Sequence, residues 1–381
     1  MSGRGVALQN TKILALFPEL LGVGGIQEAG RLTAAALHAI ALSRGWTTEV
    51  LSLNDPPGQH SLDVGKHTIS LLGFGRAKLA FALAGIRRAR SMRHDDSGIV
   101  LAAHPNLAPP AMWMRWSAPH LKTIVMSHGI EVWQALPWFR RRALARADVV
   151  LAPSSDTARK LVDVQGVAPD KVRKLAWPVN PAFLRMADAP ASLPLPLSFP
   201  RGRVILTVGR WVASERYKGA DELIRATAQL RKEFSSLQLV AVGGGDDLLR
   251  LRKLAADLGV TDCVHFLENL SREEIAACYS HAETFALPST GEGFGLVFLE
   301  AMAFSRPVVA ASCGGTTDVV EDEVNGLLVP PGNFEGLVQT LDRLLRDESL
   351  REQMGRRGAE IVRGKYRFEV FQSELESVLG D

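Results

Sequence analysis

The sequence predicts an α/β protein built from two domains. Its 381 residues are more than one hydrophobic core usually organises. Short apolar segments alternate with helical segments, which is the pattern of a parallel sheet covered by helices. The alternation is interrupted once, at 177–203, where six prolines give the composition of a linker. We therefore expect two Rossmann-like domains that face each other across a cleft, with ligands bound at the carboxyl ends of the strands.

The first array begins with Lys12–Phe17, an apolar run typical of a strand buried on both faces. The segment GVGGIQ follows, and Gln27–Ser43, rich in Ala and Leu, is predicted as a helix. Thr48–Leu53 then completes a βαβ unit. The remaining strands predicted in this array are Ile99–Ala103, Thr123–Ser127 and Val149–Ala152.

The second array repeats the pattern after the proline-rich segment. Its predicted strands are Val204–Val208, Leu237–Val242, Val264–Phe266, Thr284–Leu287 and Val308–Ala310. Its predicted helices are Ala220–Phe234, Asp246–Leu258, Arg272–His281 and Leu296–Phe304. We assign residues 1–180 to an N-terminal acceptor domain and 181–363 to a C-terminal donor domain. Residues 364–381 are predicted as a helix that packs back on the N-terminal domain.

The charge of the chain is unevenly distributed. Residues 1–180 carry 22 Lys and Arg against 12 Asp and Glu, whereas the remaining residues carry 22 against 29. A basic half suits a phosphorylated ligand, an anionic membrane or nucleic acid. The segments 76–93 and 137–146 combine apolar residues with arginines, and the second contains Trp138 and Phe139. These segments predict a peripheral position on an anionic membrane, with exposed helix faces as the alternative.

Three scattered cysteines, without a CxxC pair, indicate neither a disulfide framework nor a zinc site. The apolar stretch 13–21 is interrupted by Pro18 and Glu19 and makes a poor signal peptide. No run of eighteen apolar residues predicts a membrane span. We expect a cytoplasmic protein, with a peripheral position on the inner face of the cell membrane as a further hypothesis.

Four loops at strand ends carry residues that suit a phosphorylated ligand. Gly24 and Gly25 precede a helix, where glycines allow close approach of the backbone to a phosphate; a plain tight turn is the alternative. Arg210 and Lys218 flank the segment WVASERY, and two cations at a strand end suit a diphosphate. Read by itself, this segment is a solvated basic loop in which Glu215 lies on the surface.

Two further loops complete the set. Gly243 opens the segment GGGDD, which allows close approach of a nucleotide, while Asp246 is a candidate N-cap of the next helix. The segment GEGFGLVFLE, 291–300, places Glu292 and Glu300 around a glycine-containing turn at a helix start. Glu300 can accept hydrogen bonds from the two hydroxyls of a ribose, and Glu292 from a sugar hydroxyl.

Together these segments resemble glycosyltransferase family 4, whose members are retaining enzymes with the GT-B fold. The resemblance rests on EGFGLVFLE, on VGR followed by YKG, on VPPGN at 329–333, and on SCGGTTDVVEDEVNGLLV at 312–329. GVGGIQ and SHGIEVW extend it to the first half, so it covers nearly the whole chain. ASERYKG and HGIEVW look most like mannosyltransferases that build lipid-linked saccharides for exopolysaccharide.

The resemblance implies a role for each matching residue. Arg210 and Lys218 would hold the donor diphosphate, although their seven-residue separation is longer than in many relatives. Glu300 would bind the ribose, and Glu292 would lie beside the transferred sugar. The other donor-binding residues implied are Gly24, Gly25, Gly243 and the amides of Phe294, Gly295 and Leu296. His128 would contact the donor sugar, and we predict that His104 and Glu131 face the acceptor.

No DxD motif is present, so we expect the two cations and the helix ends to replace a metal ion, and no cofactor besides the substrate. The resemblance implies transfer with retention, through front-face attack. GDP-mannose is the first predicted donor, and a saccharide or polyprenyl-linked saccharide is the predicted acceptor. The alternatives are a UDP-sugar transferase with a soluble acceptor and a nucleic-acid-binding protein, although readout motifs for nucleic acid are absent. A Rossmann dehydrogenase would need GxGxxG, which the first loop lacks.

Overall fold

The computed structural model describes residues 11–92 and 98–380. The described chain forms two compact units, one made of the residues up to Pro178 together with those from Phe368 onward, the other of Val179–Arg367. The domain assignment made from the sequence, with limits after residues 180 and 363, stays a prediction beside this division. The predicted α/β class with two Rossmann-like domains is confirmed, because each unit is built on a largely parallel sheet covered by helices.

The first unit contains an eight-stranded sheet in the order β3-β4-β2-β1-β5-β6-β7-β8. The strands are β1 Lys12–Phe17, β2 Thr47–Ser52, β3 Gly58–Val64, β4 His67–Gly73, β5 Gly98–Ala102, β6 Lys122–Met126, β7 Val149–Ala152 and β8 Val172–Lys174. Its helices are α1 Gly25–Arg44, α2 Lys78–Ser91, α3 Ala108–Ser117, α4 Trp138–Ala145, α5 Ser155–Asp163 and the C-terminal α14 Phe368–Gly380. Side chains of α2, α3 and α4 share one buried cluster with β1 and β5.

Strands β3 and β4 form an antiparallel hairpin that the sequence reading did not include. The strand GQHSLDV alternates exposed and partly buried residues instead of forming an apolar run. Its signal is this two-residue period together with Gly65, which has a φ of 62° in the two-residue turn.

The second unit contains a six-stranded sheet in the order β11-β10-β9-β12-β13-β14, with all pairs parallel. The strands are β9 Arg203–Val208, β10 Leu237–Val242, β11 Val264–Leu267, β12 Thr284–Leu287, β13 Val308–Ala311 and β14 Gly326–Val329. The helices are α6 Pro181–Asp188, α7 Ala220–Leu230, α8 Leu248–Asp257, α9 Arg272–His281, α10 Leu296–Ala303, α11 Thr316–Val319, α12 Phe334–Arg346 and α13 Glu348–Lys365.

The proline-rich segment contains a packed helix. Asn180 caps α6 by accepting a hydrogen bond from the Ala182 amide, and Pro181 occupies the first turn, where its missing N–H costs nothing. Phe183 is buried with its ring centroid 6.1 Å from that of Tyr279. Proline content alone therefore marked the end of the first array but concealed a helix that belongs to the core of the second unit.

Candidate functional site

The candidate site of the second unit lies at the switch point of its sheet. From β9 the chain moves outward to β10 and β11, whereas β12, on the other side of β9, leads to β13 and β14. Loops that follow the two central strands leave the sheet at the same edge, which is where open α/β sheets bind ligands. The loop 209–219 follows β9 and the loop 288–295 follows β12.

One carboxylate holds the two predicted diphosphate-binding cations. Glu215 forms an ion pair with Arg210 through one oxygen and with Lys218 through the other, the second at 2.8 Å. The Glu215 side chain is only 13% exposed. The interpretation of Glu215 as a surface residue was therefore wrong: although the segment reads as polar, its 3₁₀ turn at Ala213–Lys218 folds this side chain inward between the cations.

Backbone hydrogen bonds join the loop 209–219 (the cation loop) to the loops that follow β10 and β12. The Trp211 amide donates to the carbonyl of Gly244 in the glycine-rich loop after β10, at 2.9 Å. The Thr290 amide, in the loop after β12, donates to the Tyr217 carbonyl at 2.8 Å. The three loops at the carboxyl edge of β9, β10 and β12 are therefore connected.

Asp246 and Asp247 also fix the cation loop. The candidate N-cap role of Asp246 is wrong: its carboxylate accepts from the Ala213 amide at 2.8 Å, while Asp247 occupies the N-cap position without a side-chain cap bond. Asp247 is buried and pairs with Arg250 and Arg216. Hydrogen bonds from Arg250 first and Arg216 second hold the pKa of Asp247 down at about 2. The two ion pairs of Asp247 therefore link Arg216 of the cation loop to Arg250 of α8.

Glu292 lies in a desolvated and charged environment. Burial raises the pKa of its carboxyl, while the Lys218 charge and the amides of Gly293 and Phe294 oppose that rise, and the Glu215 charge adds to it. Charges of the cation loop therefore act on Glu292 in the loop 288–295 (the glutamate loop). A carboxylate in this setting suits an acceptor of hydrogen bonds from a ligand hydroxyl.

A glycine pair from the loop after β13 packs against the backbone of the glutamate loop. The Gly315 amide donates to the Glu292 carbonyl at 2.7 Å. A Cβ on Gly315 would lie 2.1 Å from the carbonyl oxygen of Gly293, and one on Gly314 would lie 2.3 Å from that of Glu292. Only glycines allow the backbones to approach this closely, so SCGG supports the position of Glu292.

Glu300 lies in α10, which begins directly after Gly295, and is positioned by a buried tyrosine. Gly295 is the N-cap and has a φ of 95°, while Leu296 is the first helical residue. The hydroxyl of Tyr279, in α9, donates to Glu300 Oε2 at 2.9 Å. Tyr279 is fully buried, so its hydroxyl fixes the rotamer of Glu300 from inside the core. The sequence reading missed Tyr279 because a tyrosine in an apolar helix looks like ordinary core.

A pocket of about 110 Å³ opens beside these loops. Tyr217 and Thr290 line it, together with residues at the starts of α7 and α12. Arg210, Glu292 and Glu300 do not contribute to its lining. The pocket therefore adjoins the predicted donor residues without containing them.

The predicted glycine loop of the first unit is held by side chains that sequence reading did not single out. Gly24 is the N-cap of α1 with a φ of 149°, and Gly25 begins the helix. Arg31 donates to the carbonyl of Gly22 at 2.8 Å. The buried carboxylate of Asp55 accepts from the Leu20 amide at 2.8 Å. These contacts fix the segment that leads into Gly24.

His128 is part of a stack of rings in the first unit. Its ring centroid lies 5.6 Å from that of His104 and 5.2 Å from that of Trp177. The ring centroid of Phe371, in α14, lies 5.7 Å from that of Trp177. His128 Nε2 lies 2.8 Å from the Ala103 carbonyl, which can only accept, so Nε2 carries the proton. In the neutral ring, Nδ1 is then left as the acceptor.

His104 and Glu131 are placed around the same histidine. His104 is 7% exposed, and its Nδ1 accepts from the Asn106 amide at 3.0 Å. The Glu131 carboxylate accepts from the His128 amide at 2.5 Å. In this structure both residues thus have local structural roles, and their contact with an acceptor stays a prediction.

The predicted site residues fall into two groups. The second unit contains Arg210, Lys218, Gly243, Glu292, Phe294, Gly295, Leu296 and Glu300. The first unit contains Gly24, Gly25, His104, His128 and Glu131. Across residues 11–92 and 98–380, no three or more His, Cys, Asp or Glu side chains are grouped to hold a metal ion. In the same ranges, no helix is long and apolar enough to cross a membrane.

Comparison with known proteins identifies the family. Residues 23–183 match the family described as Glycosyltransferase Family 4, and residues 196–361 match the family described as Glycosyl transferases group 1. The D-inositol 3-phosphate glycosyltransferase of Stackebrandtia nassauensis is 30% identical over 86% of this chain and 79% of its own length. The chain belongs to glycosyltransferase family 4, as its motifs predicted.

Two further relatives align with different shares of this chain. The D-inositol 3-phosphate glycosyltransferase of Acidothermus cellulolyticus is 34% identical over 70% of this chain, and the aligned region spans 65% of that relative's length. A Mycobacterium tuberculosis protein named as a GDP-mannose-dependent alpha-(1-6)-phosphatidylinositol monomannoside mannosyltransferase is 29% identical over 93% of this chain and 94% of its own length.

Solved structures share the fold. Sucrose-phosphate synthase from Thermosynechococcus elongatus has a TM-score of 0.74 at 22% identity, covering 96% of this chain and 98% of its own. Anabaena HepE in complex with UDP has a TM-score of 0.71 at 18% identity, covering 97% and 99%. The fold is that of the GT-B glycosyltransferases, as predicted.

Proposed function

We propose that the protein transfers a hexosyl group, with retention and without a metal ion, from a nucleoside diphosphate sugar to a saccharide or lipid-linked saccharide. The observation that carries the proposal is the charged cluster at the switch point of the second sheet, where Glu215 pairs with both Arg210 and Lys218 and the charge of Lys218 acts on Glu292. Cations close to a partly buried carboxylate match a substrate with a diphosphate at one end and sugar hydroxyls at the other.

The cations supply the main chemical assistance. When the bond between the sugar C1 and the diphosphate oxygen breaks, negative charge grows on the leaving phosphate, and preorganised cations stabilise it. Arg210 can bind two phosphate oxygens through its planar guanidinium, while Lys218 acts as a point charge. Glu300, held by Tyr279, binds the ribose hydroxyls, and Glu292 accepts from a hydroxyl of the transferred sugar.

The transfer proceeds on one face of the sugar. The acceptor hydroxyl forms the new bond to C1 on the side from which the diphosphate departs, and its proton passes to a departing phosphate oxygen. Glu292 is not a nucleophile in this reaction; it stabilises the sugar through hydrogen bonds. In the first unit, the loop at Gly24 and Gly25 contacts the diphosphate, and His128 contacts the donor sugar through Nδ1. His104 and Glu131 keep that histidine in place beside the acceptor.

GDP-mannose is the proposed donor. A relative aligned along almost the whole chain is named as GDP-mannose-dependent and as a mannosyltransferase of a phosphatidylinositol monomannoside. The alternative is a UDP-sugar with a soluble acceptor, which is favoured by the UDP complexes among the structural neighbours. We place the reaction in polysaccharide or glycolipid biosynthesis.

Donor use is tested by incubating the protein with GDP-mannose, UDP-glucose and UDP-galactose and measuring release of the nucleoside diphosphate. We expect release from GDP-mannose that falls by about a hundredfold or more in Lys218→Ala. The matched control is Lys253→Ala, because Lys253 also pairs with a carboxylate at 2.7 Å but lies on the exposed face of α8. Release from a UDP-sugar alone would keep the reaction and replace the donor, and no release from any of them would contradict the proposal.

A basic and apolar surface on the first unit supports a lipid-linked acceptor. Helices α2, α3 and α4 contain eight Lys and Arg and no Asp or Glu. Helix α3 packs against both α2 and α4. The contact between α2 and α3 is close, because a Cβ on Gly85 of α2 would collide with the Met114 side chain of α3. The exposed apolar residues of this surface are Leu79, Leu83, Trp113, Trp116, Trp138 and Phe139.

We propose that this three-helix surface lies on an anionic membrane on the cytoplasmic side. On α2, Leu79, Leu83, Arg87 and Arg90 follow the three- and four-residue spacing of a single helix face. Tryptophans and arginines on one face are typical of segments at the boundary of headgroups and acyl chains. The sequence reading included α2 and α4 but not the tryptophans of α3.

The membrane proposal is tested by sedimentation with vesicles of phosphatidylglycerol and phosphatidylcholine, against phosphatidylcholine alone. We expect binding to the anionic vesicles that falls about tenfold in a Trp138→Ala/Phe139→Ala variant. A Leu197→Ala/Leu249→Ala variant is the control, because both leucines are exposed apolar residues of the second unit. Equal loss in both variants, or preferential binding to a duplex RNA competitor, would contradict a membrane partner.

A further inference from the structure

Glu215 lies between the two cations, at a position that a donor diphosphate would also occupy. Its carboxylate pairs with Arg210 through one oxygen and with Lys218 through the other. A diphosphate offers the same chemistry, namely anionic oxygens spaced to reach two cations. The ligand must therefore either share the cations with Glu215 or replace it on one of them.

The charges of the cluster favour replacement. Arg210 and Lys218 bring two positive charges, and Glu215 and Glu292 bring two carboxylates to the same region. A diphosphate would add at least two negative charges beside both carboxylates, and like charges at short range are costly when water is excluded. Withdrawing one cation from Glu215 and giving it to the diphosphate removes part of that cost.

The exposures indicate which cation changes partner. The Arg210 side chain is 63% exposed, whereas that of Lys218 is 15% exposed. An exposed arginine on a flexible stem can turn from a carboxylate to a phosphate at little cost, because an exposed ion pair contributes little net free energy. Lys218 is confined, and Glu215 keeps it in position.

We propose that Glu215 is a placeholder for the donor diphosphate: it holds Arg210 in the empty site, yields it to the diphosphate on binding, and reclaims it as the product leaves. Glu215 keeps Lys218 throughout and so positions the second cation. This inference rests on the proposed function, and it assigns to Glu215 a role in releasing the nucleoside diphosphate product.

The test is the affinity of Glu215→Gln for GDP, for inorganic pyrophosphate and for guanosine, measured by calorimetry. The amide keeps the size of the side chain but competes poorly for Arg210. We expect the dissociation constants of GDP and pyrophosphate to fall about threefold or more, with guanosine unchanged. The turnover number should also fall, because the product leaves more slowly.

Two controls make the result specific. Glu360→Gln removes a carboxylate that pairs with an arginine at 3.0 Å on the exposed face of α13, and should leave all three affinities unchanged. In an Arg210→Ala background, Glu215→Gln should no longer tighten GDP binding, because the higher affinity depends on freeing Arg210 from Glu215. Melting temperatures show whether each variant is folded.

The outcomes separate this inference from the proposed function. If wild-type protein binds neither GDP nor inorganic pyrophosphate, the proposed function fails. If the wild type binds GDP and Glu215→Gln binds it with equal or lower affinity, the function stands and the placeholder role is overturned. A tighter complex that persists without Arg210 would also overturn it.

Discussion

Individual side chains, more than whole loops, decide the chemistry of the candidate site. Glu300 is proposed to bind a ribose, and the buried hydroxyl of Tyr279 holds its carboxylate by donating to it at 2.9 Å. A hydrogen bond to a charged group is stronger than one between neutral groups, so its loss should be measurable.

We expect Tyr279→Phe to raise the KM for the donor about tenfold while changing kcat little, because ribose binding remote from the reacting bond is lost. Steady-state kinetics with varied donor measure both constants. Thr227→Val is the matched control, since it also removes a buried hydroxyl, one that donates to Leu223 at 2.8 Å inside α7. Equal effects of the two variants would show that Tyr279 acts through stability alone.

His104 makes the stability of the first unit depend on pH. Burial lowers its pKa from 6.5 to about 4; the Glu131 charge opposes this shift, while the His128 and Arg140 charges add to it. The unfolded chain binds a proton below pH 6.5 and the folded chain only near pH 4, so stability is full above pH 6.5 and falls as the pH drops from there to about 4.

We expect the wild type to lose about 2 kcal/mol of unfolding free energy at His104 between pH 7 and pH 5. His104→Gln lacks this titration and should lose less over the same interval. Urea midpoints of both proteins at the two pH values measure the difference. A loss of equal size in both would contradict the assignment.

At the scale of elements, the loops after the strands position the site. Gly315 allows the loop after β13 to touch the backbone beside Glu292, and a Cβ there would lie 2.1 Å from a carbonyl oxygen. Contacts this short cannot be relieved by turning a side chain, since both partners are backbone.

Gly315→Ala should therefore displace the glutamate loop, destabilise the protein by about 1 to 3 kcal/mol and reduce activity strongly. Gly364→Ala, in α13, is the control, because a Cβ at that position would meet no atom of a neighbouring element within 4 Å. That variant should be neutral or slightly stabilising, since alanine favours a helix. Melting temperature and donor turnover measure both, and full activity in Gly315→Ala would show that the glutamate loop does not depend on this close approach.

The elements that the sequence predicted best are mostly apolar strands. Five predicted segments coincide with the observed ones: β1, β7, β10, α9 and β12. Strand β3 escaped prediction because its seven residues are mostly polar and exposed, so its period of two carries no apolar run. Helix α6 was concealed by the proline content of its segment, although one of those prolines, Pro181, begins it.

The site was predictable only in part. Arg210, Lys218, Glu292 and Glu300 stand out in sequence because they belong to the glycine-containing segments VGR, YKG and EGFGLVFLE, which carry the family resemblance. Glu215, Tyr279 and Asp55 do not, because their roles depend on partners far away or across a turn: Asp55 accepts from Leu20, which is 35 residues distant. Burial of a carboxylate between cations is a property of packing, and no local pattern encodes it.

For the whole molecule, the C-terminal helix returns to the first unit. Glu376 pairs with Arg44 of α1, and Phe371 packs on Trp177, whose ring also stacks on that of His128. The last residues of the chain therefore support a predicted functional histidine of the first array. The uneven charge of the sequence has a matching feature in the structure, the basic surface of α2, α3 and α4.

The central claim is that the second unit binds a nucleoside diphosphate through the loops after β9 and β12 and through Glu300. Thermal unfolding with GDP, UDP, ADP and NAD tests it most directly, because a ligand that binds only the folded protein raises the melting temperature. We predict that GDP stabilises the wild type selectively and stabilises Glu300→Ala much less. Stabilisation by NAD alone, or by none of the four nucleotides while the protein is folded, would contradict the claim.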